Sequence, residues 1–248
     1  MPRKNPTIWR SKNSKTKKAP VVTPKYLKRL LFVAGDSRNA ARNQLIVWLL
    51  FAAGLRISEV AVIEIKDVLW PSGKLRNKVI IPAKYCKNRK AGHVFFYHRK
   101  LLKALDCYLN LRVEKQLLLS GDDSYRGLKK DSKVILSEKK LAYSLKRKPR
   151  KRTDGTIAEN WACDTLQGIV SKWGLEAGIK GFTTHSGRRT LATRAANKGA
   201  SEEFICTLLR HESDQMPYEY IDVNHSDVVK FMEGLYTSSD DEIDTEII

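Results

Sequence analysis

The chain has 248 residues, with 46 Lys or Arg against 27 Asp or Glu, and so carries a net charge of +19 at neutral pH. That length supports a substantial core, a hydrophobic content of 42% is that of a globular protein, and the cationic excess calls for a polyanionic partner, nucleic acid ahead of an anionic membrane surface. A membrane-spanning or lipid-anchored protein is excluded as the expectation, because the longest apolar run, Leu45 to Leu55, is about half of what a bilayer needs and no lipidation signal is present.

Cys86, Cys107, Cys163 and Cys206 are far apart and form no Cys-x-x-Cys pair, so neither a zinc site nor a disulfide framework is expected. The N-terminal residues contain no apolar signal-peptide core, and an intracellular, reduced protein is expected.

Residues 1–22 are basic and poor in large apolar groups. Such a segment buries too little to order itself and reads as a disordered arm, for contact with phosphates or for solubility. Thr23-Pro24 opens a helix, Leu27, Leu30, Leu31 and Ala34 recur on one face, and Gly35 closes it. A second helix runs from Asn39 to Ala53 and is apolar nearly all round, which marks it as deeply buried. Gly54 ends it. Ser58 is the expected cap of a third helix with Glu59 in its first turn, so Arg56 lies in a tight turn between buried helices. A charge there either pairs with Glu59 or Asp67 or points into a cleft.

Residues 68–97 change period. Val68-Leu69-Trp70, Val79-Ile80-Ile81 and Val94-Phe95-Phe96-Tyr97 read as a small antiparallel three-stranded sheet. The loop between the last two strands carries Lys84, Lys87, Arg89 and Lys90, a cationic hairpin that reaches DNA or is a solvated tip. An amphipathic helix is expected over 100–119, a short strand at Val134-Ile135-Leu136, and a loop at 146–152, where Arg147, Lys148, Arg150 and Lys151 flank a proline. That loop is either a second phosphate-binding element or an exposed disordered segment. Residues 158–174 return to helical spacing.

The densest chemistry lies in residues 184–222. His185 and Arg188 are three apart at the start of an expected helix over 185–197, Ser201 caps the next helix, and His211 follows its C-terminal end. Beyond Pro217 come Tyr218 and Tyr220. These side chains suit attack on a phosphodiester without a metal. Arginine forks neutralise the non-bridging oxygens of the pentavalent transition state. A tyrosine held among cations becomes a usable nucleophile, and an acid must protonate the departing sugar oxygen. No phosphate-binding glycine loop and no acidic metal cluster is visible, so neither ATP nor a metal cofactor is expected.

The pattern resembles the tyrosine recombinases of the phage-integrase family, in their single-catalytic-domain form. Gly54-Leu55-Arg56-Ile57-Ser58-Glu59 is similar to the family's first-arginine motif, His185-Ser186-Gly187-Arg188 to its His-x-x-Arg motif and Leu209-Arg210-His211 to its Leu-Gly-His motif. Tyr220 lies nine residues beyond His211, and His211 lies 23 beyond Arg188, both at the family's spacing. The resemblance covers residues 24–236. It implies an α+β fold, mainly helical with the small sheet, in which 23–236 form the catalytic domain between the arm 1–22 and an acidic disordered tail, 237–248.

The resemblance also implies that Arg56, Arg188 and His185 bind the scissile phosphate and that His211 bonds a non-bridging oxygen. Tyr220 attacks to give a 3′-phosphotyrosine, with Tyr218 as the rival nucleophile. Lys84 is the general acid, with Lys87 as the runner-up. Arg189 stands where a histidine is common and adds a phosphate contact, while Arg210 replaces the usual glycine. The partners implied are double-stranded DNA with specific recombination sites and three further copies of the chain, as a homotetramer on DNA in the cytoplasm of a bacterial or virus-infected cell. A DNA-binding protein without catalysis and a type IB topoisomerase are the alternative activities.

Overall fold

The computed structural model describes residues 19–85, 91–151 and 155–210, together with residue 232. Its architecture is helical, built around one buried helix, with two small antiparallel hairpins on the outside.

Helix α1 spans Pro24–Gly35 and buries Leu27, Leu30, Leu31 and Ala34. Its start owes more to proline at the first helical position, where the fixed φ suits a helix, than to Thr23, whose side chain makes no capping hydrogen bond. Helix α2, Ala40–Phe51, is the centre of the molecule: Leu45 through Phe51 are all buried, and α1, α5 and α7 pack around it. Each of these fully buried aliphatic side chains contributes roughly 1.5–3 kcal/mol. Residues 19–22 run along α7, where the Val22 N–H donates to Thr190 Oγ1 at 2.9 Å and the Val22 side chain joins the core.

Two short helices follow, α3 at Ile57–Val60 and α4 at Ile65–Val68. Ser58 lies inside α3 rather than capping it. The capping position belongs to Arg56, and the Glu59 carboxylate takes the Arg56 N–H. The third strand expected at 68–70 does not form. Val68 closes α4, and the backbone groups from 68 to 70 pair locally across the Pro71-Ser72-Gly73 turn, with Trp70 N–H on Lys74 C=O and Arg76 N–H on Val68 C=O, both 2.8 Å. That leaves them no capacity for a longer ladder. The sheet therefore has two strands, β1 (Lys78–Ile81) and β2 (Gly92–Phe95), with Val79 opposite Val94.

Helix α5 spans Arg99–Glu114, shorter than the expected reach to 119. Gln116 and Leu118 both have positive φ, which no helix tolerates. Val134-Ile135-Leu136 is buried but is not a strand; it is pinned by Val134 N–H to Ile63 C=O at 2.8 Å.

The basic stretch expected as a loop is instead a strand, β3 (Lys146–Lys151), paired with β4 (Ile157–Ala162). In a two-stranded ribbon both strands are edges, so Pro149 is accommodated despite its missing N–H. Glu159 and Asp164 pair with Arg147 and Lys148 and thin the like charge. Because residues 157–162 pair with β3, the helix expected from 158 begins only at Asp164, as α6 (Asp164–Glu176). Helices α7 (Ser186–Asn197) and α8 (Glu202–Leu209) follow, and the Ser201 hydroxyl caps α8 by accepting from Phe204 N–H at 3.1 Å. A second apolar cluster gathers Phe95 of β2, Leu191 and Ala195 of α7, Leu208 and Leu209 of α8, and Met232. Among the described residues no helix is long and apolar enough to cross a membrane.

Candidate active site

The chain leaves α2 through Gly54, whose φ of +60° and tight surroundings both require glycine: a Cβ there would lie 2.9 Å from Leu191 Cδ2. Two residues later Arg56 opens α3. Glu59, one turn on and fully buried, is the hub. Its Oε1 accepts from Arg56 Nη1 at 2.7 Å, and its Oε2 accepts from Arg56 N–H at 2.7 Å and from Arg210 Nη2 at 2.6 Å. Burial pushes the Glu59 carboxyl up, but Arg210, Arg56 and the Arg56 N–H outweigh it and hold the group below its ordinary range. Glu59 is therefore an anion in the core. Asp67, the other partner considered for Arg56, is engaged elsewhere, accepting the Glu64 N–H at 2.8 Å.

Arg188 enters from α7. Gly187 allows this approach, since a Cβ there would sit 2.5 Å from the Leu50 carbonyl oxygen of α2. Only 5% exposed, Arg188 donates from Nη1 to Gly54 C=O and from Nη2 to Leu209 C=O. It thus ties together the two chain segments that carry Arg56 and Arg210. Burial, Arg56 and Arg210 all push its pKa well down, and Glu59 acts against them. An arginine does not give up its proton under such pressure, so Arg188 remains a cation crowded by two others.

Arg210 ends α8 in the left-handed conformation, φ 53° and ψ 44°, the geometry in which glycine is at ease. The backbone cost is about 1 kcal/mol. Its guanidinium is offset by the Glu59 pair, and its stem lies over β2, where a Cβ on Gly92 would come within 2.4 Å of Arg210 Cδ.

The other candidates lie on separate elements. His185 is exposed at the N-terminal boundary of α7, its N–H on Thr183 Oγ1 at 3.2 Å, whereas Arg188 one turn later is buried. Lys84 lies in a 3-10 turn, Ala83–Tyr85, directly after β1. Arg189 is turned to the N-terminal segment, where its Nη1 donates to Ala19 C=O. Arg147 and Lys148 sit exposed on β3, Arg147 with its guanidinium 4.9 Å from the centre of the Trp161 ring, and Arg150 and Lys151 end the same strand. Lys87, Arg89, Lys90, His211, Tyr218 and Tyr220 lie outside the described residues.

The structure thus joins Arg56 and Arg188 and adds two members absent from the expected set, Glu59 and Arg210. Glu59 had a signal in the sequence, a carboxylate three residues past the capping position. Arg210 had only its oddity in a glycine place.

The same mainly helical fold with small antiparallel sheets is that of the tyrosine-recombinase catalytic domain. The chain superposes on XerA recombinase with a TM-score of 0.54 at 23% identity, covering 79% of this chain and 58% of that one. It superposes on the integrase from mycobacterium phage Brujita at 0.53 and 17% identity, with 92% and 61% covered. A third match is a lambda integrase fragment solved as a dimer bound to a COC′ core site, at 0.52 and 14% identity, with 85% and 64% covered. The chain therefore spans about six-tenths of the length of these solved chains. No curated protein matches its sequence. A model of the phage integrase family matches residues 20–227, and the chain belongs to that family.

Proposed function

We propose that the protein is a site-specific DNA recombinase that cuts and rejoins strands through a 3′-phosphotyrosine, without metal or ATP. The observation that carries this reading is the arginine cluster: Arg56 and Arg210 pair with one buried carboxylate, Glu59, and Arg188, bonded to backbone carbonyls, feels the charge of all three. The site is short of about two negative charges in a low-dielectric setting, and a phosphodiester passing to its dianionic transition state supplies them.

In this mechanism Arg56 and Arg188 hold the non-bridging oxygens and His211 bonds one of them. The Tyr220 oxygen bonds to phosphorus, the bond from phosphorus to the 5′ oxygen breaks, and Lys84 gives that oxygen its proton. His185 is the base that receives the phenolic proton. The reverse sequence reseals a strand, and because the phosphotyrosine keeps the energy of the broken linkage no nucleotide is consumed. Glu59 and Arg210 do not touch the phosphate; they fix the fork of Arg56. Lys87, Arg89, Lys90, Arg147, Lys148, Arg150, Lys151 and Arg189 supply duplex phosphate contacts, together with the basic arm, and four copies of the chain assemble on two recombination sites.

The test is covalent trapping on nicked duplexes of randomised sequence, which also recovers the recognised site. A protein–DNA adduct from the native chain that disappears in Tyr220→Phe supports the reading. Absence of any adduct from the native chain overturns it, and an adduct lost in Tyr218→Phe but retained in Tyr220→Phe moves the nucleophile to Tyr218.

A further inference from the structure

The turn that carries Lys84 is a short one. It has three residues, Ala83–Tyr85, closed by the Tyr85 N–H donating to Pro82 C=O at 3.0 Å. A single 3-10 turn with one such bond does not hold its geometry unaided. Tyr85 anchors it from the side: its half-buried side chain packs against the main core and meets the Trp161 ring edge-on, with centroids 6.1 Å apart and planes inclined by 63°. This is a favoured aromatic geometry.

Trp161 is in turn well placed to be a fixed point. It lies on β4 opposite Arg147, whose guanidinium covers its ring at 4.9 Å while also reaching Glu159 at 3.4 Å. Strand β4 packs against α3, the helix that presents Arg56 and Glu59. The strand that carries this ring therefore lies against the arginine cluster's helix, while the ring itself meets the turn bearing the lysine.

We propose that Trp161 is a positioning residue: through Tyr85 it fixes the Ala83–Tyr85 turn relative to α3, and so sets where the Lys84 side chain originates with respect to the phosphate held by Arg56. The proposal rests on the recombinase reading and on Lys84 as the acid within it. It gives the β3–β4 hairpin a task inside the chemical step, in addition to the phosphate contacts its charges make.

The test separates this role from DNA binding and from folding. Single-turnover cleavage is measured with saturating protein on the trapped site, once with an ordinary phosphodiester and once with sulfur replacing the 5′ bridging oxygen. A thiolate leaves without being protonated, because thiols are far stronger acids than alcohols, so the sulfur substrate needs no general acid. Trp161→Ala is expected to slow cleavage of the ordinary substrate by about 10- to 100-fold and to cleave the sulfur substrate at about the native rate. Tyr85→Ala is expected to match it, and Trp161→Phe, which keeps an aromatic edge, to recover most of the loss. Equal slowing on both substrates, the pattern of lost binding or lost structure, overturns the proposal, as does native cleavage of both by Trp161→Ala. If the native chain cleaves neither substrate, the recombinase reading itself fails and the positioning role falls with it.

Discussion

Two buried arginines, Arg112 and Arg188, sit in contrasting surroundings: one among carbonyl and hydroxyl oxygens, the other among further cations. Arg112, at the end of α5, is fully buried, and its guanidinium donates to the carbonyls of Lys133, Val134 and Leu117 and to Ser132 Oγ, at 2.7 to 3.3 Å. Burial lowers its pKa, and its titratable neighbour, the Tyr108 hydroxyl, acts against that fall rather than adding to it. Arg188 also bonds backbone carbonyls, but Arg56 and Arg210 crowd it with like charge. Surrounding carbonyls suffice to cement a loop onto a helix. Two more cations around one carboxylate exceed what such cementing needs, and the excess is what the proposed phosphate site would use.

Exchanging the two residues' fates is the strongest way to break that comparison. Arg188→Ala is expected to reduce adduct formation by about 10³-fold or more, since each charge-stabilising group in such a site is worth about 10²–10³ and this one also aligns the other two. Trapping on nicked duplex measures it; retention of a tenth of native activity would remove Arg188 from the site. Arg112→Met, in contrast, leaves several buried acceptors unmet and is expected to cost about 3 kcal/mol of stability. Adduct formation per folded molecule should be unchanged. Urea unfolding together with trapping checks both halves.

His98 sharpens the comparison, because a histidine has an escape that an arginine lacks. It caps α5, with Nδ1 accepting from Lys100 N–H at 3.2 Å, and stacks on Trp48 at 5.0 Å. Burial, followed by Lys100 and Arg194, takes its pKa from 6.5 down to about 4, so it stays neutral in the fold. The unfolded chain therefore takes up the proton first as pH falls. The stability tied to this group is complete above about pH 6.5 and is lost progressively toward pH 4, by about 3 kcal/mol in all. Stability curves from pH 7 to pH 4 should show that loss in the native chain, and His98→Asn should flatten it.

Smaller effects probe the arginine cluster directly. At 100 mM inorganic phosphate, a site with a dissociation constant of about 10 mM would gain about 1.4 kcal/mol. That gain, measured against chloride at equal ionic strength, should survive Arg112→Met and vanish in Arg188→Ala. Last, Arg210→Gly trades about 1 kcal/mol of left-handed strain against the Glu59 pair. Stability should shift by less than about 1 kcal/mol, while adduct formation falls about tenfold because Arg56 loses the partner that fixes its carboxylate.

Much of this was legible from the residues in order. Helical periodicity located α1, α2, α7 and α8, because an amphipathic or wholly apolar stripe records which face meets the core. The resemblance to the family's motifs implied that Arg56 works with Arg188, more than a hundred residues away. The sequence misled where local composition and tertiary pairing disagree. The basic run 146–151 looks like a loop because like charges repel, yet β4 lies beside it and Glu159 and Asp164 neutralise part of it. Residues 68–70 look like a strand because they are apolar, yet their backbone groups pair across a local turn.

What the sequence determined by itself was the helical core, through residue type at helical spacing, and the family, through the resemblance of its motifs. Only the tertiary structure decided that Glu59 is the shared anion of Arg56 and Arg210, that Arg188 ties their two segments together, and that Trp161 meets the turn carrying Lys84. Those are contacts between elements far apart in the chain, created by packing, and no periodicity or spacing along one strand of sequence encodes them.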